Sequence, residues 1–194
     1  MLTRSFIRQL LPQTQPAPPV SFISPLSGQH LQRAAVLLPL VDRGDGFYLI
    51  LTQRAAHLHH HPGQICLPGG RYDQHDHCLI ETALRETEEE IGLSREFIEI
   101  AGYLNDYETI TGFLITPVIG FVKTGFELRL DQFEVADLFE VPLHFVLNLH
   151  HYAQKQVELN QTIHHYYVLD YHGRMIWGAT ASILHDFAER LHWR

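Results

Sequence analysis

GGRYDQHDHCLIETALRETEEEIGL, residues 69–93, is the stretch whose reading decides the fold. At 100° per residue, Ile80, Leu84, Thr87 and Ile91 fall within about 60° of one another and predict a core-facing helical stripe. The helix is expected over 77–91, with Asp76 as its N-cap and Gly92 as the left-handed residue that ends it. Glu86, Glu89 and Glu90, at i, i+3 and i+4, fill an arc of about 100° away from that stripe. The ordinary reading of such a run is a solvated acidic face. Its energetics argue otherwise. Like charges at these spacings destabilise a helix by a few tenths of a kcal/mol per pair, and the macrodipole disfavours anions at the C-terminal end by roughly 0.3–1 kcal/mol each. A divalent cation turns the clustering into an advantage, because hard Mg²⁺ or Mn²⁺ prefers carboxylate oxygens and keeps water for phosphate chemistry.

Upstream, AAVLLPLV (34–41) and FYLILTQ (47–53) flank the turn cluster DRGDG and read as a pair of strands buried on both faces. Further strands are expected at 97–104, 113–122 and 164–171, and further helices at about 142–149 and 179–191. Strands interleaved with helices imply an α+β fold, an α/β/α sandwich in which a mixed sheet is flanked by helices. The first 12 residues carry a helical apolar spacing (Leu2, Phe6, Leu10), and QTQPAPPVSFISP after them cannot continue a helix. Residues 1–32 are therefore expected to be an arm and connector, and 33–194 a single domain.

The composition narrows the partners. A chain of 194 residues that is 45% hydrophobic is long enough for one full-sized core. A net charge of -8 argues against a nucleic-acid duplex as main partner, since that binding depends on Lys and Arg neutralising phosphates. A small anionic substrate fits if a cation offsets the protein's own field. There is no apolar run long enough to span a bilayer and no export signal at the N-terminus, so no membrane partner and a cytoplasmic location are expected, with oligomeric state open. Cys66 and Cys78 cannot build a disulfide framework and read as packing residues, and most of the 15 histidines read as scattered surface or core positions.

The quoted segment resembles the Nudix box: a glycine-led loop, then a helix bearing Arg-Glu, two residues, Glu-Glu, one residue and Gly. Gly70, Arg85, Glu86, Glu89, Glu90, Gly92 and Leu93 match it. The 14 residues between Gly70 and Arg85 are one more than in the common form, and the region of Asp76 and His77 stands where the early loop glutamate is usual. The resemblance implies that Glu86 and Glu90 bind metal, that Glu89 is a further ligand or the general base, that Arg85 orients Glu86, and that the Gly70 carbonyl completes the shell. Glu108 is the second candidate base.

LTQRAAHLHHHPGQICLPGG (51–70) is similar to a second signature, that of the coenzyme A diphosphatase branch, through Leu51, Thr52, Arg54, Leu58, His61, Gly63, Gln64, Pro68, Gly69 and Gly70. Ala55, His59 and Leu67 stand where serine, arginine and phenylalanine are usual. YETITGFLITPVIGF (107–121) and WGATASIL (177–184) look like the same branch. This resemblance implies metal-dependent hydrolysis of coenzyme A or its derivatives to 4′-phosphopantetheine and adenosine 3′,5′-bisphosphate, with Arg54 holding phosphate and His61 and Gln64 as polar wall residues. The alternatives are a hydrolase for another nucleoside diphosphate, such as NADH or ADP-ribose, and a binding module that has lost catalysis.

Overall fold

The apolar run at 34–41 lies inside a 13-residue strand with buried residues on both faces, and the sheet is assembled around it. The structure, a computed structural model, describes residues 2–13, 22–24, 28, 30–159 and 162–191; most of the proline-rich connector lies outside them. In chain order the elements are α1 (Arg4–Leu10), β1 (Phe22–Ile23), β2 (His30–Asp42), β3 (Phe47–Arg54), β4 (Ile65–Cys66), β5 (Gly69–Arg71), α2 (Leu79–Ile91), β6 (Ile98–Tyr103), β7 (Tyr107–Glu108), β8 (Phe113–Val122), β9 (Val135–Pro142), α3 (Leu143–Val146), β10 (Tyr152–Leu159), β11 (Thr162–Tyr171), β12 (Arg174–Trp177) and α4 (Ala179–Arg190).

The main sheet is mixed. β2 and β8 pair in parallel over ten positions, while β3 meets β2 only at the hairpin end and runs antiparallel to β9 for most of its length. β10, β11 and β12 form a separate antiparallel sheet. Alternation along the central strands divides the core between two faces. Leu37, Val41, Ile50 and Val118 point to α2, whereas Leu38, Leu40, Leu49 and Phe121 point to the side covered by α4 and α1. The α+β architecture expected from the alternation of elements is thus what forms, with helices on both faces of a mixed sheet.

Several local expectations change. On α1 the buried side chains are Ile7 and Leu11 rather than a Leu2, Phe6, Leu10 stripe; Leu10 is exposed. The helix expected at 142–149 is four residues long, because the Asn148 side chain takes the His150 N–H and opens a separate 3₁₀ turn at Leu149–His151. β9, β10 and β12 were not expected: their acidic and aromatic residues lack the apolar runs that mark the central strands. No helix among the described residues is long and apolar enough to cross a membrane.

Candidate active site

α2 is seated by Leu79, Ala83, Thr87 and Ile91, a buried arc rotated by roughly 60° from the expected stripe, so that Ile80 and Leu84 are only half-buried. The rotation brings Glu90 inside, at 4% exposure, while Glu89 stays in solvent. Its cause is the glycine pair of β5. A Cβ on Gly70 would lie 2.4 Å from the Glu86 carboxyl, so only a residue without a side chain lets the helix approach there. At the far end Gly92, with φ 70°, closes the helix through its N–H to the Glu88 carbonyl.

Asp76 is not the N-cap. Cys78 occupies that position without a side-chain cap, and Asp76 is buried beneath the helix. It receives two hydrogen bonds from Arg85, Nε to Oδ1 at 2.9 Å and Nη2 to Oδ2 at 3.0 Å, together with the Thr82 hydroxyl and the Asp73 N–H. Burial alone pushes its pKa up, but the Arg85 fork, the Asp73 N–H and the Thr82 hydroxyl outweigh it and bring the carboxyl to about 2. Arg85 then donates through Nη1 to Glu86 at 2.9 Å and to Glu89 at 3.1 Å, and through Nη2 to the Arg71 carbonyl. A carboxylate thus fills the early loop position after all, and it fixes the arginine that orients Glu86.

Glu90 has the opposite environment. Burial pushes its pKa up to about 8; the Gly69 N–H at 3.2 Å and the charge of Arg54 oppose this, while Glu86 and Glu134 add to it. Glu86 is shifted in the same direction, by burial first and by Glu89 and Glu134, against the pull of Arg85. Glu88 stands apart, paired with Arg95 at 2.7 Å. Glu134 was not singled out in the sequence, where it is one acidic residue of DQFEVADLFE; it reaches the cluster because the turn before β9 is bonded to the end of α2 through Asp131 N–H to Glu90 O, and to β3 through Ala55 N–H to Glu134 O, both at 2.9 Å. Only the sheet register reveals it.

The residues of 51–70 divide. Arg54 ends β3 facing the cluster: its charge acts on Glu90 and on Cys66, whose thiol burial pushes up to about 11 beside Glu90. Gln64 bonds the Arg54 N–H through its carbonyl, and the next residue, Ile65, accepts the Thr180 hydroxyl at 3.3 Å through its own carbonyl, joining the 51–70 and 177–184 segments in space. His61 is exposed, with a left-handed backbone at φ 54°. Glu108 accepts the Ser24 hydroxyl at 2.8 Å on a strand pairing with β8. Three strand spacings, roughly 14 Å, separate that strand from β5. The leading charges that act on Glu86 are those of Arg85, Glu89 and Glu134, and on Glu90 those of Glu86, Glu134 and Arg54.

A hard divalent cation fits this donor set. Glu90 is a buried carboxylate with a single backbone donor and anionic neighbours, and Glu86 and Glu90 offer carboxylate oxygens from one helix beside the Gly70 backbone. As they stand, no three His, Cys, Asp or Glu groups among the described residues converge closely enough to hold a metal.

Comparison with known proteins gives a consistent picture. The NUDIX domain family matches residues 30–159. A protein of Yersinia pestis named "Uncharacterized Nudix hydrolase NudL" is 38% identical over 160 residues, 82% of this chain and 80% of its own length, and a protein of the same name from Yersinia pseudotuberculosis is equally similar. Among solved structures, a MutT protein from Methanosarcina mazei superposes with a TM-score of 0.53 at 20% identity, covering 84% of this chain and 93% of its own. A Mycobacterium smegmatis Nudix hydrolase, RenU, superposes with a TM-score of 0.51 at 24% identity, covering 66% and 81%.

Proposed function

From the premise that this chain belongs to the Nudix family and is a hydrolase, we propose that it cleaves the diphosphate linkage of coenzyme A or its derivatives, giving 4′-phosphopantetheine and adenosine 3′,5′-bisphosphate. One observation carries the chemistry: α2 holds Glu86 and Glu90 together, one of them buried without a cationic side chain bonded to it, with Arg54 facing them. Nudix hydrolases use divalent cations. Here Glu86 and Glu90 would hold Mg²⁺ or Mn²⁺, with the Gly70 carbonyl and Glu89 as further donors. Such a cation supplies neutralisation of the diphosphate and a lowered pKa for the attacking water.

The chain's own groups do the rest. Asp76 locks Arg85, Arg85 fixes the Glu86 carboxylate, and the exposed Glu89, which receives Arg85 on Oε2, would accept the proton of an incoming water on its other oxygen. Glu108 remains the second base, one that requires substrate to bring the reacting atoms toward β7. Arg54 binds a substrate phosphate as a planar donor, and His61 and Gln64 line the loop that holds it. The coenzyme A assignment rests on the resemblance of the 51–70 and 177–184 segments, which the Thr180 hydroxyl bond to the Ile65 carbonyl joins. Ala55, His59 and Leu67 favour a second reading, a different nucleoside diphosphate such as NADH or ADP-ribose.

The test is to incubate the protein with Mg²⁺ or Mn²⁺ and a panel of coenzyme A, NADH, ADP-ribose and nucleoside triphosphates, identifying products by mass. Adenosine 3′,5′-bisphosphate from coenzyme A is expected as the fastest product. A preference for NADH or ADP-ribose by more than about tenfold in kcat/KM selects the second reading.

A further inference from the structure

The turn bonded to the end of α2 carries an exposed aromatic pair that the hydrolysis itself does not use. Phe133 is 66% exposed, and its ring meets that of the exposed His57 with centroids 4.9 Å apart and planes tilted by 59°. A single exposed aromatic is common on protein surfaces and calls for no explanation by itself. This one is built in. Its N–H is held by Asp131 Oδ1 at 2.9 Å, the Asp131 carbonyl takes the N–H groups of Glu134 and Val135, and the Asp131 N–H is bonded to the last turn of α2. These bonds fix the backbone of the turn that presents the ring at the surface. His57 comes from the other side, two residues after Ala55, whose N–H bonds Glu134 O and whose carbonyl takes the Leu58 N–H.

The two segments that present these rings are the same two that bring Glu134 and Arg54 to the carboxylate cluster. Phe133 follows Asp131 by two residues, at most about 7 Å of chain, and the Asp131 N–H is bonded at 2.9 Å to the carbonyl of Glu90, so the turn that presents the ring is tied directly to the helix assigned to the diphosphate chemistry. His57 meets it at a tilt and forms a side wall, which leaves a ring face of Phe133 open to solvent.

We propose that Phe133, walled by His57, is the stacking platform for the nucleobase of the substrate. This rests on the nucleoside-diphosphate hydrolase reading above. The base is the flat aromatic part that such substrates share, and stacking tolerates any base because each has a π face. A cleft whose charges are spent on the diphosphate then gains affinity for the nucleoside end without further cations.

Isothermal titration with Mn²⁺ present tests it, using ADP as the base-bearing probe and inorganic diphosphate as the base-free one. Wild-type protein is expected to bind ADP more tightly than diphosphate. Phe133→Ala should raise the Kd for ADP by about 5- to 100-fold and leave that for diphosphate unchanged, with melting temperature retained, while Phe133→Tyr keeps the ADP affinity. Equal ADP affinity in wild type and Phe133→Ala overturns the platform, as does a parallel loss for both probes, which marks a distorted turn. A wild type that binds ADP no better than diphosphate yet still cleaves the nucleotide panel removes the platform and leaves the hydrolase reading intact. Failure to cleave any nucleoside diphosphate removes both.

Discussion

Arg54 and Asp76 serve the site in different ways, and their replacements should differ accordingly. On the proposed function Arg54→Ala would remove a charge-assisted contact to substrate, worth roughly 1.5–3 kcal/mol, so kcat/KM for coenzyme A should fall about 10- to 150-fold. The fall should be selective: a diphosphate lacking the contacted group is affected far less, and equal loss on all substrates would mark a purely structural loop. Asp76→Asn releases Arg85 from its fork, leaving Glu86 less well directed. Supporting bonds of this kind change metal affinity or activity by about 10- to 100-fold, and the loss should be visible in kcat and in the Mn²⁺ titration. Asp76 also contributes at acid pH. Its carboxyl sits below the ordinary 3.8, so this stability is present above about pH 4 and is lost as pH falls through about 2. Acid melting curves of Asp76→Asn should lack that decline.

At the scale of elements, α2 depends on how tightly its two ends are enclosed. Gly92 stops the helix in a left-handed conformation, and a Cβ there would lie 2.9 Å from the Arg129 backbone nitrogen. That segment is bonded to the helix end by Arg129 N–H to Ile91 O, so it cannot yield alone. Gly125 has a similar φ of 88° but nothing within 4 Å. Gly92→Ala should therefore destabilise by about 1–3 kcal/mol, a melting shift of roughly 2–10 °C, and Gly125→Ala should lose distinctly less. Equal shifts in thermal denaturation would mean that the backbone angle alone matters. Because the same turn carries Phe133 and Glu134, Gly92→Ala should also weaken activity more than its stability loss explains.

For the whole molecule the buried Glu90 should govern the dependence on pH and, on the proposed function, on metal. Its pKa is about 8 in the folded protein against 4.5 for an ordinary glutamate, so the folded state holds the proton more tightly. Without metal, stability from this group is full below about pH 4.5, declines as pH rises, and is lost above pH 8. Melting temperatures measured with chelator should fall across that window, and Mn²⁺ should restore them most at the alkaline end. Glu90→Gln should flatten the profile while lowering turnover by about 10³-fold or more; a steep profile in that variant would place the titrating group elsewhere.

Much of the fold was legible in the sequence, because local rules write local structure. The 3.6-residue period and the glycine stop placed α2, the apolar runs placed β2, β3 and β8, and the charge repulsion among Glu86, Glu89 and Glu90 singled these three out as candidates for the site. What the tertiary structure alone decided is which groups meet. The rotation of α2 that buries Glu90 follows from its approach to Gly69 and Gly70. Asp76 leaves the cap position because Arg85 offers a better partner within reach. Glu134, Phe133 and His57 come together through the pairing of β3 with β9, strands more than 80 residues apart, and such pairing depends on sheet register and burial that no single segment encodes.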